Sequence, residues 1–202
     1  MAYDLNLRVG GAAWRHYAER LADPGFEQFS KSVFERDQNS CVYCSFSASC
    51  GMCVVNVDHD YTNNRMSNLV TTCPFCQQCC FLEAVGSLQA GGGMLIYLPE
   101  ISQGQLNALC HVFYASIVNG SSHAKVADHY IQSLKLRSSM VEKHYGKGMS
   151  NPAFMGQMFL DTPSSDLARK QASILSNVRL LPALDKFEKE ITMWAQNAFV
   201  SA

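Results

Sequence analysis

Two CxxC pairs constrain this chain more than any other feature of its sequence. They are Cys41 with Cys44 in the run CVYC, and Cys73 with Cys76 in the run CPFC. Two residues between cysteines allow one tight turn to direct both sulfur atoms at the same point, and two such turns can form a tetrahedron of thiolates. A closed sphere of four thiolates suits a structural Zn²⁺ ion, with no open position for water or substrate. The spacing therefore predicts one structural zinc ion bound by these four residues.

A second choice of ligands stays open because the chain has nine cysteines. The run CGMC, with Cys50 and Cys53, could bind an ion together with the CPFC pair in place of CVYC. We favour CVYC because it follows a helix-like segment ending at Arg36 and Asp37, whereas CGMC is typical of a turn between two strands. Spare thiols, a second weak metal site and a redox pair are the alternatives for CGMC. The sequence assigns no role to Cys79, Cys80 and Cys110.

Composition favours one globular unit with reduced thiols. Nine cysteines is an odd number, no secretory signal peptide is visible, and 202 residues of 48% hydrophobic composition can build a core without disulfides. We therefore expect a cytoplasmic protein. No apolar run approaches the ~20 residues that a membrane-spanning helix needs. The predicted organisation is a single domain over residues 1–202, with a zinc-knuckle lobe at 26–99 and a helical lobe at 100–202.

The charge distribution argues against a nucleic-acid-binding role for the cysteine-containing lobe. Residues 32–124 contain two basic residues, Arg36 and Arg65, against six acidic ones, which gives a net charge of −4. Residues 125–202 contain ten basic and seven acidic residues, a net charge of +3. Proteins that bind DNA draw most of their affinity from Lys and Arg side chains that neutralise phosphates. The lobe with the CxxC pairs is poor in those side chains.

Hydrophobic periodicity predicts an α+β fold, in which a small ββα zinc module is embedded in a mainly α-helical body. Short β-like runs occupy the first half of the chain, and the run CPFCQQCCFLEAVG predicts a knuckle that continues into a helix. Ser102 with Gln105 forms a capping box, and Asn151 before Pro152 predicts a further helix start. The predicted strands are residues 5–9, 52–58 and 94–99. The predicted helices are residues 12–21, 26–34, 102–117 and 126–145, followed by two more after Asn151.

One set of residues resembles the HNH (ββα-metal) endonuclease module. The order is Arg36-Asp37, CVYC, Asp58-His59, Asn68-Leu69 and CPFC. The resemblance implies that His59 would be the general base that activates water, that Asp58 would bind a catalytic metal ion, and that Asn68 would position the loop. The alternative function is therefore a divalent-metal-dependent DNA endonuclease that uses these three residues.

The chain departs from the HNH pattern at two positions. The final metal ligand of the family falls on Gln77, and a neutral amide is a poor ligand for a catalytic metal beside carboxylate or imidazole. Asp60 adds negative charge next to the base, where the family usually has an apolar residue. Together with the lack of Lys and Arg, these departures predict a protein without catalytic residues. The other histidines lack metal-ligand spacing and are expected to be structural or solvent-facing; they are His16, His111, His123, His129 and His144.

A longer resemblance covers most of the chain. The runs VNVDHDYTNNRMSNLVTTCPFCQQC, GGGMLIYLPE, LNALCHVF and NVRLLP resemble, in this order, the IcmJ (DotN) family of the Dot/Icm type IVB secretion system. Members of that family are HNH-like zinc proteins that do not act as nucleases. The resemblance places the zinc ligands at Cys41, Cys44, Cys73 and Cys76.

The resemblance also implies partners and a location. It implies a non-enzymatic adaptor that binds the C-terminal extension of the coupling ATPase DotL (IcmO) and other subunits of the coupling complex. Such a subunit supports the export of effector proteins. We expect it in the cytoplasm, associated with the inner-membrane secretion complex, with contact to the membrane only through that complex and with no nucleic-acid partner.

Overall fold

A computed structural model describes residues 3–87, 91–162 and 165–198 of the chain. Within them, helices surround two small antiparallel sheets, which agrees with the predicted α+β class. None of the helices in these ranges is long and apolar enough to cross a membrane.

Two helices precede the first cysteine pair. Helix α1 is Ala13–Leu21 and helix α2 is Pro24–Arg36. Helix α2 begins after Asp23 because the Asp23 carboxylate accepts a hydrogen bond from the Gly25 N–H, while Pro24 supplies a φ angle suited to the first helical position. Both helices lie where the sequence predicts them.

The N-terminal segment differs from its prediction. Residues 5–9 show the expected alternation, with Leu5 and Leu7 buried, but they are extended chain rather than a strand. The backbone of Arg8 instead bonds to that of Cys79 and Leu82, in the 3₁₀ turns after the second cysteine pair. The alternation correctly indicated which side chains are buried. The segment is not a strand because its backbone partners, Cys79 and Leu82, lie in 3₁₀ turns and not in a neighbouring strand.

The first sheet is a hairpin that carries the second cysteine pair. Strand β1 (Cys53–Asn56) pairs antiparallel with strand β2 (Leu69–Thr72). Helix α3 (Pro74–Gln77) follows directly, so a ββα order is present. The helix predicted to continue from the knuckle is absent: 3₁₀ turns at Gln78–Cys80 and Leu82–Ala84 take its place.

The second sheet joins the centre of the chain to its C-terminal part. Strand β3 (Gly93–Tyr97) was predicted, but its antiparallel partner β4 (Val178–Pro182) lies in a region predicted as helix. The two strands approach closely at Gly93, where a Cβ atom would collide with the backbone carbonyl oxygen of Leu181. The adjacent residues Leu180 and Leu181 are both buried, on opposite faces of β4, so the run lacks the alternation that marks a half-exposed strand.

The remaining helices form the body of the molecule. Helix α4 (Gln103–Val118) begins at the predicted capping box, in which the Ser102 hydroxyl accepts from the Gln105 N–H and the Gln105 side chain accepts from the Ser102 N–H. The helix predicted over 126–145 is two helices. They separate at Arg137, whose guanidinium donates to the Tyr97 carbonyl and pairs with Glu100. The other helices are α5 (Ala124–Leu136), α6 (Ser138–Tyr145), α7 (Pro152–Asp161), α8 (Ser165–Asn177) and α9 (Glu188–Ala198).

One hydrophobic core connects the cysteine-rich half to the helical half. The same cluster of buried residues contains Cys73 and Phe75 from the knuckle, Leu106 from α4 and Leu180 from β4. The knuckle therefore packs against the helical half of the molecule through this shared core.

Candidate metal centre

The structure brings the CVYC and CPFC pairs together. The sulfur atoms of Cys41, Cys44, Cys73 and Cys76 all lie within 4.8 Å of one another, and the Cys44 and Cys73 sulfurs are 3.6 Å apart. Thiolates that bind Zn²⁺ tetrahedrally at about 2.3 Å would lie about 3.8 Å from one another. The cluster thus has the dimensions of a closed four-sulfur metal site. Among the residues that the structure describes, no other group of three or more His, Cys, Asp or Glu side chains meets this spacing.

A tight turn at the end of helix α2 positions the first pair. The Cys41 N–H donates to the Phe46 carbonyl (2.8 Å), and the Ser45 N–H donates back to the Cys41 carbonyl (2.9 Å). Ser45 has a φ of 62°, in the left-handed region, which allows the chain to reverse directly after Cys44. The turn is held against the hairpin because the Val42 N–H donates to the Thr71 carbonyl.

The Arg36-Asp37 pair at the end of α2 fixes the same turn to strand β2. The Arg36 guanidinium donates to both carboxylate oxygens of Asp37 and to the carbonyls of Met66 and Leu69. The Asp37 carboxylate also accepts from the Thr71 N–H at 2.8 Å. In this structure the pair therefore has a positioning role, because it sets where the first cysteine turn meets the second.

The second pair lies at the start of helix α3. Cys73 is the residue before the helix, Pro74 takes the first helical position, and the Cys76 N–H donates to the Cys73 carbonyl at 3.0 Å. This short turn places Cys73 and Cys76 on one side of the helix. Both are completely buried, as is Cys41 almost entirely, while Cys44 is partly exposed.

Two side chains from helix α4 contact the sulfur cluster. The Asn107 amide donates to the Cys76 sulfur at 3.2 Å, and the His111 Nε2 lies 3.2 Å from the Cys73 sulfur. Both residues are buried, with His111 only 7% exposed. The prediction that His111 would be structural or solvent-facing did not anticipate a contact with the cysteines. The available signal was the spacing of Gln103, Asn107 and His111, which puts three polar groups along one face of a largely apolar helix.

The electrostatics of the cluster favour a bound cation. Burial raises the pKa of the Cys76 thiol far above its ordinary value, and the neighbouring thiols raise it further. The pKa of Cys73 is raised by the same causes, whereas that of Cys41 is lowered because hydrogen bonds from the other three thiols outweigh its burial. Four thiols packed this closely in the interior cannot all ionise unless a positive ion compensates their charge.

The competing CGMC pair lies elsewhere in the structure. Cys53 belongs to strand β1 opposite Thr72, and burial raises the pKa of its thiol to about 12. The Cys50 carbonyl accepts a hydrogen bond from the Trp194 indole N–H at 3.0 Å, and Gly51 between the two cysteines has a φ of 73°. The predicted turn is present and leads into β1, but the strand predicted before it is only an isolated bridge between Ser40 and Ser47 in the described chain.

Asp58, His59 and Asn68 lie at the opposite end of the hairpin, in the loop between β1 and β2. Asn68 bridges this loop: its amide donates to the Asp58 carboxylate (2.8 Å) and its side-chain oxygen accepts from the Asp58 N–H (3.1 Å). The other Asp58 oxygen accepts from the Asn63 amide at 2.7 Å. Asp60 accepts from the N–H and hydroxyl of Thr62. The loop's carboxylates are thus already hydrogen-bonded to the loop itself.

His59 is half-buried and has an unusual backbone. Its φ of 61° lies in the left-handed region, and its Nδ1 atom is buried with no hydrogen-bond partner. Burial, and secondarily the charge of Arg8, lowers the pKa of His59 to about 4, so the ring is neutral near pH 7. Gln77, at the position of the family's last ligand, is buried in α3. Within the described ranges, no third His, Cys, Asp or Glu side chain joins Asp58 and His59 in a group with metal-ligand spacing.

Comparison with known proteins relates the chain to a bacterial secretion apparatus protein. The chain is 43% identical over 196 residues to the type 4 apparatus protein DotN of Legionella pneumophila, and the match covers 96% of this chain and 91% of that protein. No family model matches the chain.

Proposed function

This chain belongs to the DotN (IcmJ) family of type 4 apparatus proteins, and from that premise we propose that it is a non-enzymatic structural subunit of a type IVB secretion system. The observation that carries this proposal is a match that extends along nearly the whole chain, so that it spans both the cysteine turns and the helical body. A shared motif alone would not support it.

The subunit contains one structural zinc ion bound by Cys41, Cys44, Cys73 and Cys76. The spacing of the sulfurs and their burial support this assignment. All-thiolate donor sets favour Zn²⁺ over harder ions such as Mg²⁺, and four protein ligands leave no position for catalysis. The ion contributes folding energy, because it neutralises thiolates that the interior could not otherwise accommodate.

The cysteine turns and the β1–β2–α3 unit form an HNH-like module within a single domain. The ββα order and the position of Asp58 in the hairpin loop support this interpretation. In the division we propose, residues 26–99 form the zinc-knuckle lobe and residues 100–202 the helical lobe. The hydrophobic core shared between α3 and α4 supports their treatment as one folding unit.

The module serves as a scaffold and not as a nuclease. The Asp58 carboxylate is occupied by hydrogen bonds from Asn63 and Asn68. The segment around it carries a net charge of −4, which opposes the approach of DNA phosphates. A catalytic role would require His59 and Asp58 to act with a metal ion. In the described part of the chain, no further carboxylate, imidazole or thiolate lies close enough to these two residues to help bind that ion.

The adaptor binds the C-terminal extension of the coupling ATPase DotL (IcmO) and works with other subunits of the coupling complex in effector export. Its helical lobe offers suitable surfaces. A groove of about 590 Å³ runs beside the end of α4 and the β3–β4 sheet, with Ile117, Val118 and Leu181 among its lining residues. Val112 on α4 and Tyr130 on α5 are more than half exposed. Apolar surfaces of this kind accept a helical or extended partner segment. The protein would be cytoplasmic and would reach the inner membrane through that complex.

A paired experiment tests this proposal. The purified chain is mixed with the tagged C-terminal extension of the ATPase and recovered on affinity resin, while a second sample is incubated with plasmid and Mg²⁺, Mn²⁺ or Ni²⁺. We expect stoichiometric capture of the tail and an intact plasmid. Cleavage that disappears in His59→Ala would establish the nuclease alternative and contradict the adaptor.

A further inference from the structure

We propose that Gln103, Asn107 and His111 of helix α4 act together as positioning residues: Asn107 and His111 donate hydrogen bonds to the metal-binding thiolates, and Gln103 connects Asn107 to the C-terminal sheet. We call these three residues the α4 polar stripe. They are spaced four residues apart, so they lie along one face of the helix, and all three are buried. The inference rests on the proposed zinc site.

One branch of the stripe runs from strand β4 to Cys76. The Gln103 side chain is held by two bonds to the Leu180 backbone, since its amide donates to the carbonyl (2.8 Å) and its oxygen accepts from the N–H (2.8 Å). The same amide donates to the Asn107 side-chain oxygen at 2.9 Å. This fixes the orientation of the Asn107 amide, so that its nitrogen, rather than its oxygen, faces the Cys76 sulfur at 3.2 Å.

The other branch is His111, whose ring is clamped between the two cysteine turns. Phe46 from the first turn stacks on one face at 3.7 Å with an interplanar angle of 1°, and Phe75 from the second stacks on the other at 4.2 Å and 15°. This sandwich leaves the ring edge as the polar contact and directs Nε2 at the Cys73 sulfur, 3.2 Å away. The helix therefore inserts one side chain between both halves of the metal site.

The chemistry explains why these buried positions are polar. Four thiolates around Zn²⁺ carry a net charge of −2, and N–H donors to sulfur spread that charge and lower the tendency of a thiolate to leave the metal or attack an electrophile. A buried amide or imidazole without a partner is costly, so a core would favour apolar side chains here if packing alone were required. The donors and the charged sulfurs compensate each other.

The test measures metal release from full-length protein loaded with Zn²⁺. The variants His111→Phe and Asn107→Leu keep the approximate shape of each side chain and remove the donor. His144→Phe is the matched control, because His144 also stacks on an aromatic ring, Tyr97, but lies on α6. We expect zinc transfer to a chromogenic chelator about 10- to 100-fold faster from the two stripe variants, with no change in the control.

A second readout separates donation from packing. In protein loaded with Co²⁺, loss of a hydrogen bond to sulfur raises the energy of the donor electrons, so the sulfur-to-cobalt charge-transfer band should move to longer wavelength in both stripe variants. His111→Gln, which retains an N–H donor, should restore most of the wild-type band position. If the band of His111→Gln is displaced from the wild-type position as far as the band of His111→Phe, the donor role is contradicted. If His111→Phe folds poorly, the band of His111→Gln is compared with the wild-type band alone, and a clear displacement contradicts the donor role.

The outcomes distinguish this inference from the proposed zinc site. If the wild-type protein binds neither Zn²⁺ nor Co²⁺, both proposals are wrong. If the wild-type protein binds one ion and the stripe variants release it at the wild-type rate with an unshifted band, the stripe is packing alone and only this inference is overturned.

Discussion

The two ends of the β1–β2 hairpin carry the two groups of functional-type residues, and they are stabilised in opposite ways. At one end, Cys73 continues strand β2 into the sulfur cluster, which is buried and contacted by α4 from a distant part of the chain. At the other, Asp58 and Asn68 lie in an exposed loop whose hydrogen bonds run mostly within residues 58–68. The sulfur cluster is contacted by side chains from a distant helix, whereas most polar groups of the loop form hydrogen bonds within the loop.

This difference predicts which substitutions destabilise the whole chain and which have only a local effect. Removal of a group from the cluster exposes unpaired charge in the interior, where a low dielectric makes it expensive. Removal of a group from the loop leaves polar atoms that water can reach, so the cost stays local. Substitutions on the two ends of one hairpin should therefore differ in magnitude and in their effect on metal content.

The largest effect is expected for Cys73→Ser. The variant loses one thiolate of the proposed zinc site, and structural zinc in small sites is worth roughly 10–16 kcal/mol of apparent binding energy at pH 7. That is comparable with the whole stability of a domain, roughly 5–15 kcal/mol. We expect a chain without stoichiometric zinc that has no cooperative thermal transition, as measured by metal analysis and circular dichroism.

The controls for Cys73→Ser are Cys50→Ser and Cys53→Ser. Both should retain one zinc ion per chain, because the structure places their sulfurs outside the group formed by Cys41, Cys44, Cys73 and Cys76. Loss of zinc from either control, with retention in Cys41→Ser, would show that Cys50 and Cys53 bind the ion together with the CPFC pair.

The next largest effect is expected for Arg20→Met, which tests how far the loop end is independent of outside support. The buried Arg20 guanidinium of α1 donates to the Val54 carbonyl at 2.7 Å and to the side-chain oxygens of Asn56 and Asn64 at 2.5 and 3.1 Å. It also lies 4.1 Å from the Phe26 ring centroid. Methionine keeps the apolar stem and leaves these acceptors unpaired, at about 2–4 kcal/mol in total.

Urea unfolding of Arg20→Met, with zinc content measured in parallel, checks this value. Arg15→Met is the control, because Arg15 lies exposed on the same helix and should cost less than about 0.5 kcal/mol. A change in Arg20→Met as small as in Arg15→Met would mean that the loop end needs no support from α1.

Much of this organisation could be predicted from local sequence signals. The capping box at Ser102, the start of α7 at Asn151 and the β1 strand each depend on neighbouring residues, and each was found. The two CxxC turns were also found from short-range spacing, because each turn places two sulfurs at once. These predictions succeeded because the controlling interactions span only a few residues.

The missed features depend on contacts between distant segments. Strand β4 was predicted as helix because five apolar and basic residues carry no period of their own, and its strand state comes from pairing with β3 about 85 residues earlier. His111 was missed because its neighbours in space, Phe46, Phe75 and Cys73, are remote in sequence. Metal-ligand motifs are recognised by the spacing of residues along the chain. Side chains that donate hydrogen bonds to those ligands come from distant segments, so spacing does not reveal them.

A smaller effect is expected for Asn68→Ala at the loop end. Its side chain makes three hydrogen bonds, two with Asp58 and one with the Asn63 carbonyl, and their loss at this partly buried site should cost about 1–2 kcal/mol without loss of zinc. A loss of zinc in this variant would show that the two hairpin ends are coupled.

The pH dependence of stability offers a second check on Asn68→Ala. Burial acts to raise the pKa of Asp58, but hydrogen bonds from Asn68, the Asp60 N–H and Asn63 outweigh it, so the folded pKa lies below its usual range. That stabilisation is present above about pH 4, the unfolded value, and is lost as the pH falls through the lower folded value. Asn68→Ala should therefore lose stability less steeply in acid than the wild type. Equal slopes below pH 4 would mean that Asn68 does not set this pKa.

The smallest effect is expected for His59→Asn. This variant tests whether His59 is a catalytic base or a structural residue of the loop. Asparagine tolerates the left-handed backbone found here (φ 61°) and removes a ring nitrogen that has no partner, so the unfolding free energy should change by less than about 0.5 kcal/mol at pH 7. Because burial lowers the folded pKa of His59 to about 4, the wild type loses stability as the pH falls from about 6.5 towards 4, and the variant should lose less. Wild type and variant should both leave plasmid intact with Mn²⁺. If the replacement leaves the unfolding free energy at pH 7 nearly unchanged, shows the pH dependence of a buried imidazole and has no effect on the plasmid, then His59 serves only the conformation of the loop. The contrast with Cys73 would then hold at both ends of the hairpin.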